Sequence, residues 1–141
     1  MAYAAPGIYG QIRQGQYAAK QGKYMSDVYK QEAAASKKQT QFEYLKKKNE
    51  IKQFMASQRA TFGAMGIDST TGTGKAIAES TLKEGGLDLF AIMYGGKVAE
   101  TKALNYAQMY KAEGRNAQSA SWLSAAGTLL QEGAQAALAL I

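Results

Sequence analysis

Between Ala78 and Tyr110 the chain places Ala78, Leu82, Gly85, Leu89, Ile92, Gly96, Ala99, Ala103, Tyr106 and Tyr110 at steps of four and three. A period held over more than about four heptads marks one packing face of a long helix, and Leu82 to Tyr110 along it are read as the residues that pack subunits. Its Gly and Ala members let two helix axes approach closely but fill little volume. The doublets Gly85-Gly86 and Gly95-Gly96 each cost a helix about 1 kcal/mol per glycine relative to alanine, so this helix needs tight contact with another, or a bend. Unbroken from Lys75 to Glu113, it would run about 58 Å at 1.5 Å per residue, longer than an ordinary small domain accommodates.

Composition agrees with a helical chain. One proline, no cysteine and no histidine, with abundant alanine, glutamine and lysine, favour helix and offer little to a sheet. We read the chain as all-α: a long helical hairpin with a C-terminal amphipathic helix, assembled as a ring or tube. Lacking cysteine and histidine, it excludes disulfides, thiol catalysis, histidine triads and the commonest metal ligands. Neither a catalytic residue nor a metal or cofactor site is expected.

The expected segments are a docked or flexible arm over residues 1–10, a basic helix over 11–65, a turn at 66–74, the seam-forming helix at 75–113 and a weakly polar helix at 114–141. The arm holds Pro6, Gly7 and Gly10. Its sequence lacks the basic and apolar regions of a secretory signal, and no run of apolar residues is long enough to predict a membrane-spanning helix.

Residues 1–60 carry eleven Lys or Arg against four Asp or Glu, and residues 61–141 carry six against seven. The basic half, with Lys37, Lys38, Lys46, Lys47, Lys48 and Lys52, is a candidate contact for DNA or an acidic partner; a solvated helical face is the plainer alternative. Phe42, Leu45, Ile51, Met55 and Phe62 form only a thin apolar stripe on this helix, which calls for a second helix or subunit. Tyr9, Tyr17, Tyr24, Tyr29 and Tyr44 stand among Gln and Lys. Such tyrosines stack on bases in single-strand binders, but without an RNA-binding signature the reading favours amphipathic contacts within a helical assembly.

The last segment steps through Ala117, Ala120, Leu123, Gly127, Leu130, Ala134, Ala137 and Ile141, with Ser121, Ser124, Thr128 and Gln135 opposite. Two successive steps of three from Ala117 to Leu123 break the earlier phase near Gly114, which predicts a bend. With Glu132 as its one charge over 117–141, the helix suits a membrane surface or pore wall, contacted through Trp122, Leu123, Gly127, Leu130, Ala134 and Leu138. Burial in a soluble oligomer is the alternative.

The stretch "GIDSTTGTGKA" (66–76) resembles half of a nucleotide loop. Aligned on Gly74-Lys75, it has Ser69 where the first glycine belongs and Ala76 where the hydroxyl belongs. The better reading is a helix-to-helix turn. Gly66 ends one helix in the left-handed conformation, Ile67 folds back toward Phe62, and Ser69, Thr70, Thr71 or Thr73 caps the next helix.

The stretch "MASQRATFGAMGIDSTTGTGKAIAESTLKEGGLDLFAIMYGGKVAETKALNYAQMYKAEGRNAQ" resembles the core of the small internal virion proteins, or ejection proteins, of short-tailed bacteriophages. The resemblance rests on "QRATFGAMGIDSTTGT", the glycine-punctuated helix and the A/L/G/S-rich tail, over roughly residues 55 to 125. It implies a protein packaged near the portal, ejected ahead of the genome and reassembled with itself and other ejection or portal-tail proteins into a conduit across the host envelope. The smallest member of such sets is associated with the outer-membrane end. A static portal-tail adaptor and a basic nucleic-acid binder are the competing expectations.

Overall fold

The computed structural model describes residues 5–138, with side chains described from residue 7 to residue 131. Two helices, α1 (Ala5–Ala64) and α2 (Gly72–Leu138), pack as a hairpin, and no strand occurs among the described residues. Each helix contributes to two compact units: a turn-bearing unit, Ala33–Lys102, and a terminal unit, Met1–Glu32 with Ala103–Ile141.

In the turn-bearing unit, the residues of α1 turned toward α2 include Thr40, Tyr44, Lys47, Ile51, Met55, Gln58 and Phe62. Their steps follow a 4-3-4 pattern that repeats every 11 residues. The α2 face, Ala78, Thr81, Gly85, Leu89, Ile92, Gly96 and Glu100, keeps the same 11-residue repeat. An 11-residue repeat has 3.67 residues per turn, so the contact face is not the heptad seam expected from sequence. Side chains of α1 sit over glycines of α2: a Cβ on Gly85 would strike Ile51 at 2.8 Å, and one on Gly96 would strike Thr40. Second members of the doublets, Gly86 and Gly95, have open space around them.

The turn is built by the backbone. Gly66 has φ +68°; the Ile67 N–H donates to the Phe62 carbonyl at 2.9 Å and the Gly66 N–H to the Gly63 carbonyl at 3.2 Å. Together these form a Schellman stop. Asp68 Oδ1 accepts from the Thr70 N–H at 2.8 Å and the Thr70 hydroxyl at 2.6 Å. Those bonds hold the Asp68 carboxyl below its ordinary pKa. Helix α2 starts at Gly72, three residues earlier than the expected 75, because the Lys75 N–H already donates to the Thr71 carbonyl. Thr73 therefore lies within the first turn of α2 instead of in the loop.

The terminal unit brings backbones closer still. A Cβ on Gly22 would lie 2.6 Å from the Tyr110 carbonyl oxygen and 2.9 Å from Gly114 Cα. Helix α2 is continuous through Gly114, with no turn there, and this glycine serves helix contact with Ala18 and Gly22. Tyr29 stacks on Tyr110 (5.4 Å, 8°) and tilts against Tyr106 (5.4 Å, 32°). The neighbouring Tyr110, then burial, raise the Tyr29 pKa. The arm expected over 1–10 is helical from Ala5, with Pro6 in the first turn, where its missing N–H is no loss; residues 1–4 lie outside the described ones.

The C-terminal part of α2 turns its polar side inward. Gln118, Ser121, Ala125 and Thr128 face α1, whereas Leu123 and Leu130 are exposed. The hydroxyls remain satisfied on their own helix: Ser121 donates to the Gln118 carbonyl at 2.7 Å and Thr128 to the Ser124 carbonyl at 3.0 Å. Small side chains also allow the approach of Gly15, whose Cβ would collide with Ser121.

Candidate functional site

The hairpin buries small residues and exposes large ones. Among the described residues, the buried apolar set is Ala33, Ala103, Ala107 and Ala125, and the largest fully buried side chain is Ser26. On the outer face of α2, directly behind the Gly85 and Gly96 contacts, Leu87, Phe90, Tyr94 and Val98 form a stripe at steps of three, four and four. Leu87 is 69% exposed, Phe90 67% and Val98 50%, and the Phe90 and Tyr94 rings stack at 6.1 Å. Full burial of such a side chain is worth about 1.5–3 kcal/mol. Isolated exposed apolar residues are ordinary, but a contiguous row along one helix face marks an interaction surface.

The nominated packing residues divide between two environments. Gly85, Leu89, Ile92, Gly96, Ala103 and Tyr110 face α1, while Leu82, Ala99 and Tyr106 are exposed beside the contact line; Thr81, Glu100 and Ala107 take the inward positions instead. A 3.5-residue period slips by about one residue against a 3.67-residue period in roughly six steps, which produces these offsets. The outer stripe was not nominated from sequence, although its spacing and aromatic content were a usable signal on the side opposite the glycines.

The lysines do not make one surface. Lys46, Lys47 and Lys48 are consecutive and so point about 100° apart around the helix. Lys47 Nζ is 2.8 Å from Asp88 Oδ2, and that hydrogen-bonded carboxylate raises the Lys47 pKa. Lys38, Lys46, Lys48 and Lys52 are exposed. Lys37 borders a groove of about 660 Å³ that Thr40, Tyr44, Met93 and Gly96 also line. Lys75, beside the loop first compared with a nucleotide site, lies 3.8 Å from Glu79.

Of the nominated membrane or pore contacts, Trp122, Leu123, Gly127 and Leu130 are exposed. Ala134 and Leu138 fall in α2, but their side chains lie outside the described ones. No described helix is long and apolar enough to cross a membrane. No group of three His, Cys, Asp or Glu able to hold a metal occurs among the described residues. No protein-family model, curated protein or solved structure matches this chain.

Proposed function

We propose that this chain is a non-enzymatic bacteriophage internal virion or ejection protein whose hairpins self-associate into part of a conduit for genome delivery across the host envelope. The observation that carries the reading is the exposed Leu87-Phe90-Tyr94-Val98 stripe on the face of α2 opposite its contact with α1. Copies packed along that outer face would bury this apolar row. The resemblance over residues 55 to 125 supplies the biological setting: a virion, then an envelope assembly with other ejection or portal-tail proteins. Exposed Trp122, Leu123 and Leu130 supply candidate contacts to membrane or to another ring.

The test joins oligomeric mass with membrane leakage. In buffer and in detergent the protein is expected to sediment as a multimer, and on dye-loaded vesicles it is expected to release dye in a manner abolished by truncation before residue 117. A multimer that neither binds nor permeabilises vesicles would favour a static portal-tail adaptor. A monomer in both solvents would overturn the assembly reading.

A further inference from the structure

In the terminal unit, a groove of about 320 Å³ between α1 and α2 has Lys23 and Lys30 on one side and Lys111 and Arg115 on the other, with Ser26 and Asp27 among its lining. Four cations thus face one carboxylate. Asp27 is engaged by Lys30 at 3.1 Å, and no described carboxylate lies within ion-pair distance of Lys23, Lys111 or Arg115. Charges of one sign focused in a groove raise the local concentration of the opposite ion.

We propose that this groove binds the phosphodiester backbone of duplex DNA, with Lys23, Lys30, Lys111 and Arg115 neutralising successive phosphates. Lys111 and Arg115 stand one turn apart, about 6 Å along α2, and Lys23 and Lys30 two turns apart, about 10.5 Å along α1. The positive charges therefore form rows along the groove, which suits a linear polyanion. A lipid surface is disfavoured because interfacial binding needs large apolar side chains at the level of the cations, and the one apolar lining residue is Ala19. The site lies outside the lysine run 46–48 and goes beyond the assembly reading above.

Binding of the full-length protein to a short fluorescent DNA duplex, followed by anisotropy across a salt series, tests the assignment. The paired change Lys111→Gln with Arg115→Gln is expected to lower affinity about tenfold or more. It should also reduce the log–log salt slope by about 1.8, from two lost phosphate contacts at about 0.9 each. Lys83→Gln with Lys102→Gln, two exposed lysines outside the groove, serves as the surface control and should change neither by half as much. Asp27→Asn should tighten binding about threefold, a gain that misfolding does not mimic. Equal losses from groove and control pairs would overturn the proposal. So would binding to phosphatidylglycerol vesicles, but not to duplex, that depends on Lys111 and Arg115, or full competition by inorganic phosphate at equal phosphate concentration. Oligomeric mass measured on the same samples keeps this outcome distinct from that of the assembly reading.

Discussion

Gly22 and Gly86 are the same residue in helix interiors, but their surroundings give them opposite roles. A methyl group at Gly22 meets the Tyr110 carbonyl and Gly114 Cα, both backbone atoms that no rotamer change moves aside. Gly22→Ala is therefore expected to destabilise the hairpin by about 1–3 kcal/mol through overpacking, despite alanine's better helix propensity. Gly86 and Gly95 face open space, so Gly86→Ala and Gly95→Ala should each stabilise by about 1 kcal/mol. Urea unfolding followed by helical circular dichroism checks both directions. A stabilising Gly22→Ala would show that the close approach does not exist. The seam spacing singles out Gly85 and Gly96 over Gly86 and Gly95, and the opposing arm supplies the side chains they face, Ile51 and Thr40.

At the scale of the helices, the choice between a heptad and an 11-residue contact line is a choice between neighbouring residues. The heptad puts Tyr106 and Leu82 inside; the structure puts Ala107, 2% exposed, and Thr81 there. Ala107→Leu adds volume to a filled contact and should cost about 1–3 kcal/mol. By contrast, Leu82→Ala at an exposed site should leave monomer stability within about 0.5 kcal/mol. Thermal and urea unfolding at low protein concentration distinguishes the two patterns, and a larger loss from Leu82→Ala would restore the heptad. The turn was more legible. Gly66, Ile67 and Phe62 are close in sequence, and a Schellman stop depends only on local hydrogen bonds and a left-handed residue. Where α2 starts was less so, since Ser69, Thr70, Thr71 and Thr73 are all acceptable caps and backbone geometry selects among them.

At the scale of the whole molecule, apolar surface is distributed contrary to a monomer's needs. Phe42 and Phe54 on α1, and Leu87, Phe90 and Tyr94 on α2, are exposed, while the fully buried apolar residues among the described ones are alanines. Conversion of Leu87, Phe90 and Tyr94 to serine is expected to lower the sedimenting mass to that of a monomer or dimer while keeping helical content at high protein concentration. Such helicity should then become concentration-independent, because association no longer contributes to folding. An unchanged mass would place the self-association surface elsewhere on the hairpin.

By itself the sequence determined that this chain is helical, that the helices are long and that they reverse at Gly66. These follow from propensity, one proline near the N-terminus and local turn chemistry, all interactions between near neighbours. It also indicated that Gly85 and Gly96 face a partner helix, because small residues at helical spacing suggest close packing whatever the partner is. Only the tertiary structure decided that this partner is the chain's own first helix, that Ser121 and Thr128 face inward while Leu123 and Leu130 face out, and that Lys23 and Lys30 share a groove with Lys111 and Arg115. Those features depend on the register between residues far apart in the chain, set by Ile51 over Gly85, Thr40 over Gly96 and Gly22 against Gly114. Steric fit fixes that register across the two arms, and neither arm carries the information alone.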